Sequence, residues 1–241
     1  MKGCIVNRKY FEKIAAKFDS LNETPDVFID VGVGGPYPYE AWWFKEYWPD
    51  VGVVGYEPCN ERFQKLIPTA FRYHDDTDHL VGIEGGGGFP GWLQKEVVTD
   101  VDGVYAGYMN NYDFRIKKDV DEEDPYKKVN MLSVTVDTLI KNRLKMQNDE
   151  DYKFKNVFVW ADIEGGELTL LKGATQSLEE KRILGLNLEM WPNPPIKEWP
   201  SSDEIVEYLE KFDYHVAFGE DCSYNDWDRV SQKDFLFVPN K

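Results

Sequence analysis

Cysteine, basic residues and long apolar runs are all scarce in this 241-residue sequence. The three cysteines, Cys4, Cys59 and Cys222, are odd in number and widely separated, which indicates neither a disulfide framework nor a zinc ribbon. We therefore expect a reducing, cytoplasmic environment. No segment approaches the ~20 apolar residues needed to span a bilayer, and the apolar part of the N-terminus is too short for a secretory signal.

Positive charge is also in deficit. The 28 Lys and Arg residues are outnumbered by 44 Asp and Glu residues, for a net charge of −16. Nucleic-acid-binding proteins normally carry a basic patch, but basic clusters here, such as 117–118 and 127–128, are no longer than two residues and have acids nearby. We expect no nucleic-acid partner and no membrane partner, and the oligomeric state stays open. Acidity by itself indicates little beyond solubility.

Apolar runs alternate with amphipathic segments along the chain, in which 42% of residues are hydrophobic. This alternation predicts a single α/β domain over residues 1–241, with a seven-stranded, mostly parallel, Rossmann-like sheet and helices on both faces. The last strand should run antiparallel beside the strand before it. The predicted strands span 27–31, 51–56, 97–108 (one or two strands around a turn at 102–103), 131–136, 157–161, 184–190, 214–218 and 234–238. The predicted helices span 7–22, 39–48, 60–68, 137–146, 167–179 and 203–212.

Two further segments complete this organisation. Residues 1–25 contain the N-terminal helix, which ends before Pro25. Residues 71–95 contain four consecutive glycines at 85–88 and are expected to form an insertion or mobile loop.

Acidic side chains lie at the ends of several predicted strands. Asp30 is followed by a loop with glycines, Glu57 ends the second strand, and Glu189 lies near the end of the 184–190 strand. Asp162 and Glu164 follow the 157–161 strand. Because ligands of open α/β sheets bind beyond the carboxyl ends of the strands, we expect these carboxylates to line a binding site.

The first loop has the character of a nucleoside-binding loop. Gly32 and Gly34 allow the backbone to approach a ligand closely, and Glu57 follows Gly32 by 25 residues. A carboxylate at that position can accept hydrogen bonds from both hydroxyls of a ribose. The residues leave NAD and S-adenosylmethionine as alternatives. The third glycine of a dinucleotide loop would fall on Tyr37, which disfavours NAD, whereas Asp30 suits a ligand with a cationic amino-acid tail.

Several segments, in order, resemble the FkbM family of class I S-adenosylmethionine-dependent methyltransferases. The resemblance covers residues 27–240 and rests on 28–34, 54–60, 98–103, 133–140, 160–174, 188–189 and 235–239. The most specific of these is Trp160-Ala161-Asp162-Ile163-Glu164-Gly165-Gly166-Glu167 with the Leu171-Lys172-Gly173-Ala174 that follows. The resemblance implies O-methylation, often of a sugar hydroxyl in a glycan or a glycosylated metabolite, with S-adenosylmethionine as methyl donor.

The resemblance also assigns cofactor-binding residues. It places Asp30, Gly32 and Gly34 near the amino-acid part of the cofactor and Thr99 and Asp100 near the adenine. The ribose would lie on the strand end formed by Glu57 and Pro58, and Asp162 would border both cofactor and acceptor.

For catalysis, the candidate base is Asp162 or Glu189, with Glu164 orienting the acceptor hydroxyl. His79 is the next candidate. The glycine-rich segment at 85–92 would close over the acceptor and exclude water. A divalent cation on the three acids is conceivable with hard oxygen ligands, but no histidine lies beside them, so we predict no metal.

Two alternatives of other classes remain from the sequence. A catalytically silent carbohydrate-binding or scaffold domain of the same fold is one, because Pro36 and Trp160 stand where the family usually has glycine and lysine. A nicotinamide-dependent oxidoreductase is the other.

Trp191, two residues after Glu189, is the best candidate for stacking on a sugar ring.

Overall fold

The computed structural model describes residues 8–34, 38–70, 91–109, 114–115, 127–143, 155–194, 196–221 and 233–240. Its helices are α1 (Arg8–Leu21), α2 (Tyr39–Tyr47), α3 (Asn60–Ala70), α4 (Val136–Thr138), α5 (Glu167–Lys172), α6 (Thr175–Glu179) and α7 (Ser202–Glu210), with a π-helical turn at Leu139–Arg143 after α4. The strands are β1 (Val27–Val31), β2 (Gly52–Tyr56), β3 (Trp92–Gln94), β4 (Val97–Val98), β5 (Gly103–Met109), β6 (Phe114–Arg115), β7 (Lys127–Val134), β8 (Val157–Ala161), β9 (Ile183–Met190), β10 (Tyr214–Asp221) and β11 (Lys233–Pro239).

The main sheet has seven strands in the order β10-β11-β9-β8-β1-β2-β3. The pairs from β9 through β8, β1 and β2 to β3 are all parallel. Strand β11 is antiparallel to both of its neighbours, β9 and β10. The predicted α/β fold, with its mostly parallel seven-stranded sheet and antiparallel last strand, is confirmed.

Hydrophobic cores cover both faces of this sheet. Strands β1 and β8 are buried along their whole length, as their uninterrupted apolar sequences indicate. Alternate side chains enter opposite cores, so Val27, Ile29 and Val31 pack on one side and Phe28 on the other. The first core is completed by α5, α6 and α7, and the second by α1 and α2.

A second sheet of four strands, in the order β4-β7-β5-β6, was not predicted as a separate unit. Two strands do lie in the 97–108 region, but β4 and β5 pair with opposite edges of β7 and do not form a hairpin with each other. Asp102 fixes the turn between them by accepting hydrogen bonds from the Thr135 N–H (2.8 Å) and the Thr138 hydroxyl (2.6 Å). Strand β7, at Lys127–Val134, begins and ends earlier than the strand predicted at 131–136.

The helix predicted at 167–179 is divided into α5 and α6 at Gly173. A Cβ on Gly173 would lie 2.0 Å from the backbone oxygen of Thr99, so the backbone packs too closely there for any other residue. Asp137, from α4, caps the N-terminus of α6. Its carboxylate accepts hydrogen bonds from the N–H groups of Gln176 (3.0 Å) and Ser177 (2.7 Å). The predicted helix at 137–146 is likewise a short α4 followed by a π-helical turn, and residues 144–146 lie outside the described residues.

Two further boundaries differ from the prediction. Within 71–95, residues 92–94 form β3, which pairs parallel with β2 at the edge of the main sheet; residues 71–90 lie outside the described residues. Helix α3 was predicted to end at Pro68 but continues to Ala70. A proline in the last turn removes only one backbone hydrogen bond, so the helix can extend past it. Asn60 is the first residue of this helix, and its side chain accepts a hydrogen bond from Lys95 (2.7 Å).

No helix in the described part of the chain is both long and apolar enough to cross a membrane.

Candidate active site

Acidic side chains converge on one face of the main sheet, at the carboxyl ends of its parallel strands. Asp30 and Asn187 are both register partners of Trp160, so these three residues share a face. Glu189 lies two residues after Asn187 on β9, and its register partner on the neighbouring strand β11 is Asp234. The alternation of the strands therefore points Asp30, Glu189 and Asp234 to the side covered by α1 and α2.

The three predicted catalytic residues are close together in the structure. One carboxylate oxygen from each of Asp162, Glu164 and Glu189 lies within 4.8 Å of the other two. Glu164 has a φ of 50°, an uncommon left-handed conformation for a non-glycine residue and one that often marks functional sites. The spacing would also allow a divalent cation to bridge the three oxygens. The absence of a metal stays a prediction from the sequence.

Glu189 is the most strongly perturbed member of this cluster. Burial raises its pKa well above the ordinary value, and the negative charge of Asp162 and a hydrogen bond with Asp162 raise it further. The charges of Glu164 and Asp234 act in the same direction. Two carboxyls in contact cannot both ionise easily, so the raised pKa of Glu189 favours its protonated form beside Asp162.

Two acids that were not predicted from the sequence border this pair. Asp234 on β11 lies opposite Glu189, and Glu40 lies in the first turn of α2. Burial, with the charges of Asp162 and Asp234, raises the pKa of Glu40 to about 7. The available signal for Asp234 was an acid at the start of an otherwise apolar strand, where burial is costly unless a partner is present.

A buried hydrogen-bond chain holds Asp234 in place. The Tyr10 hydroxyl on α1 donates to Asn187 Oδ1 (2.7 Å), and Asn187 Nδ2 donates to Asp234 Oδ1 (3.0 Å). All three side chains are buried. Helix α1 is thereby connected through β9 to β11, directly beneath the acid cluster.

The glycine loop after β1 lies against Asp162 on one side and Glu57 on the other. Gly32 has a φ of 82°, and a Cβ there would lie 2.0 Å from the backbone oxygen of Asp162. The Gly34 N–H donates to Glu57 Oε2 (3.0 Å), while Glu57 Oε1 accepts from the N–H of Cys59 (2.7 Å). Glu57 therefore joins the glycine loop to the start of α3.

Asp30 is a buried carboxyl whose position calls for a cationic partner. It is only 4% exposed, and its Oδ2 has no hydrogen-bond partner among the described residues. Burial raises its pKa well above the ordinary value, and the charges of Glu40, Asp162 and Glu57 add to this. Because such an atom is costly to leave unpaired, it fits the ammonium group of a ligand.

The structure does not place Thr99 and Asp100 in the same cluster. The Thr99 hydroxyl donates to the Val101 carbonyl (3.0 Å) and accepts from the Val101 N–H (3.2 Å), which closes a local turn against Gly173. Their role at the adenine stays a prediction, as does that of Pro58, which is half-buried next to Glu57. His79 and most of the predicted closing segment at 85–92 lie outside the described residues.

The solved structures to which the chain is similar, at low identity, include methyltransferases. Magnesium protoporphyrin IX methyltransferase (ChlM) from Synechocystis PCC 6803 with bound SAM is 9% identical; the match covers 96% of this chain and 79% of that one, with a TM-score of 0.48. An S-adenosylmethionine-dependent methyltransferase from Clostridium acetobutylicum ATCC 824 is 10% identical, with 98% and 94% covered and a TM-score of 0.43. The N-methyltransferase NodS from Bradyrhizobium japonicum WM9 is 5% identical, with 97% of each chain covered and a TM-score of 0.44.

The family comparison is decisive. No curated protein matches the sequence. The family model of the methyltransferase FkbM domain matches residues 32–216, more than half of the chain, and this range contains the glycine loop, Glu57 and the three clustered acids. The chain therefore belongs to the FkbM methyltransferase family and is a methyltransferase.

Proposed function

We propose that this protein transfers the methyl group of S-adenosylmethionine to a hydroxyl group of a sugar, in a glycan or a glycosylated metabolite. The observation that carries the cofactor assignment is Asp30, with its unpartnered buried oxygen next to the glycine loop. S-Adenosylmethionine has an ammonium group for this carboxyl and a ribose for Glu57. NAD lacks the ammonium group.

The acceptor assignment rests on the acid cluster. Carboxylates are strong acceptors of hydrogen bonds from hydroxyls, and they repel anions. The cluster of Asp162, Glu164 and Glu189 therefore favours a neutral polyol over a phosphorylated or carboxylated acceptor. The net charge of −16 has the same effect at longer range.

The chemistry requires placement and a base. S-Adenosylmethionine supplies an electrophilic methyl group, and an alcohol is a weak nucleophile that must lose its proton as it attacks. Because the pKa of Glu189 is raised beside Asp162, the pair can keep one carboxyl protonated and the other ionised, and the ionised carboxylate can accept the proton of the acceptor hydroxyl. Glu164, within 4.8 Å of both, orients that hydroxyl.

Isothermal titration calorimetry tests the cofactor assignment. The wild-type protein should bind S-adenosylhomocysteine, which retains the ammonium group, and should not bind NAD. Asp30→Asn should weaken S-adenosylhomocysteine binding by about 10-fold or more, since it removes a charge-assisted contact. Asp203→Asn, an exposed acid in the first turn of α7, is the matched control and should bind normally. NAD binding without S-adenosylhomocysteine binding would refute the proposal.

A turnover assay tests the acceptor. The protein should convert S-adenosylmethionine to S-adenosylhomocysteine in the presence of a mixture of neutral glycosides, and the product should carry one methyl ether. If the protein binds S-adenosylhomocysteine but never turns over, the alternative of a catalytically silent carbohydrate-binding domain is favoured. The cytoplasmic location expected from the cysteines stays a prediction and can be checked by fractionation.

A further inference from the structure

Trp191 directly follows β9 and is two residues after Glu189 of the acid cluster. In an extended chain, residues two apart point to the same face. Between them, Met190 points into the opposite core. The Trp191 side chain is half-buried.

A second indole connects Trp191 to the other clustered acids. The rings of Trp191 and Trp199 meet edge to face, with centroids 5.8 Å apart and an interplanar angle of 62°. Trp199 in turn packs on Gly165, where an added Cβ would lie 2.4 Å from the ring. Because Gly165 directly follows Glu164, the two indoles form an aromatic wall next to the acid cluster.

The indole N–H of Trp191 has no acceptor among the described residues, although the nitrogen is buried. A buried N–H normally has a partner, and an unsatisfied one in a native structure calls for an explanation. Indole nitrogen is a donor only, so the missing partner must be an acceptor atom. A sugar offers such atoms in its ring oxygen and hydroxyls.

We propose that Trp191 is an acceptor-binding residue, whose indole N–H donates a hydrogen bond to an oxygen of the sugar that receives the methyl group. This inference rests on the proposed function, because it takes the acid cluster as the acceptor site. It adds a specificity element: the acceptor must present an unmodified oxygen to Trp191 while a second oxygen lies at Asp162 and Glu189. A sugar that is deoxygenated or alkylated at the first oxygen should bind weakly.

The test uses indole N–H signals of the ¹⁵N-labelled full-length protein saturated with S-adenosylhomocysteine. The Trp191 signal is assigned by its loss in Trp191→Phe, which removes the donor but keeps an aromatic ring. The protein is titrated with the methyl glycosides of glucose, galactose, mannose and rhamnose. At least one glycoside should shift the Trp191 signal, and Trp191→Phe should bind that glycoside about 10-fold more weakly.

Trp48→Phe is the matched control, because Trp48 is a buried tryptophan of the second core, packed against Phe11 and Phe44. It should leave glycoside binding unchanged. In turnover, Trp191→Phe should raise KM for the glycoside about 10-fold with little change in kcat, a split that a purely structural role would not produce.

The outcomes separate the two proposals. If no glycoside shifts the Trp191 signal, or if Trp191→Phe and wild type bind the same glycoside equally, the inference about Trp191 is overturned. If a glycoside shifts the signal but is never methylated, the Trp191 contact stands and the proposed methyl transfer to sugars fails.

Discussion

At the scale of single residues, the proposed chemistry depends on the neighbouring carboxyls of Asp162 and Glu189. Replacing either carboxyl by its amide removes the ionisable group but keeps the shape of the side chain. We expect Asp162→Asn and Glu189→Gln each to lower turnover by about 100-fold or more, as the loss of a general base can. The affinity for S-adenosylhomocysteine should stay nearly unchanged in Glu189→Gln, because Glu189 has no assigned contact with the cofactor.

Steady-state turnover and calorimetry on the same preparations measure the two effects. Glu198→Gln, an exposed acid in the segment between Trp191 and α7, is the control and should turn over like wild type. If both amide variants also turn over like wild type, the base lies elsewhere, and His79 is the next residue to change.

Glu167 gives a second residue-scale prediction, on stability. Burial raises the pKa of Glu167 to about 8, and the charges of Asp162 and Glu164 contribute. The folded protein therefore holds a proton on Glu167 that the unfolded chain releases near pH 4.5. This contribution to stability is complete below about pH 4.5 and is lost as the pH rises to about 8, at up to ~1.4 kcal/mol per pH unit for one proton.

Urea denaturation of wild type and Glu167→Gln at pH 5, 6, 7 and 8 measures this dependence. The glutamine variant cannot release the proton, so it should gain stability relative to wild type as the pH rises. A stability difference between the two proteins that stays constant over this range would contradict the raised pKa.

At the scale of elements, α1 is attached to the sheet by one buried polar contact as well as by packing. Tyr10→Phe removes the hydroxyl that donates to Asn187 and leaves Asn187 Oδ1 without that donor. We expect a loss of about 1–3 kcal/mol in the free energy of unfolding. Tyr47→Phe is the matched control: Tyr47 is 45% exposed and its hydroxyl bonds to the surface residue Asp19.

Chemical denaturation of the two variants decides between them. The control should change stability by less than about 0.5 kcal/mol, since an exposed hydroxyl exchanges its partner for water. Equal losses in the free energy of unfolding would show that the buried contact of Tyr10 with Asn187 stabilises the protein no more than the exposed contact of Tyr47 does.

The elements also show where sequence reasoning succeeds and where it fails. Strands β1 and β8 were predicted to the residue, because a fully buried parallel strand is an uninterrupted apolar run with sharp ends. The start of the helix predicted at 203–212 was also close to the observed α7, since the capping box of Ser201 and Glu204 depends on local residues only. The break at Gly173 was not predicted, because it follows from contact with Thr99, more than 70 positions earlier in the chain.

The same distinction applies to the candidate site. Asp162, Glu164 and Glu189 were expected to meet because strand ends of a parallel sheet lie at one edge, and the structure brings them together. Asp234 and Glu40 could not be found this way, since β11 enters the sheet antiparallel and Glu40 lies on a helix. Their proximity depends on the packing of whole elements.

At the scale of the whole molecule, the N-terminal helix belongs to the same packed unit as the family domain, although the family match begins at residue 32. Helix α1 buries five side chains, Tyr10, Phe11, Ile14, Ala15 and Phe18, in the second core. A fully buried large apolar side chain contributes about 1.5–3 kcal/mol, so their sum is comparable with the ~5–15 kcal/mol that stabilises a typical domain.

We therefore expect a variant that lacks residues 1–25 to be largely unfolded at 25 °C. Circular dichroism should show loss of the cooperative thermal transition, and binding of a hydrophobic dye should increase. A variant that lacks only residues 1–7, and so keeps α1, is the control and should melt like the full chain. A cooperative transition of normal midpoint in the shorter variant would contradict this expectation.

The position of β11 has a consequence for biosynthesis. It is made after β10, yet it lies between β9 and β10, so β9 has an open edge until residues 233–239 have left the ribosome. Strand β9 is eight residues long and buried throughout, and such an exposed edge pairs readily with other chains. A nascent chain paused before residue 233 should therefore need protection by a chaperone, and Glu189 can meet Asp234 only after translation has passed this point.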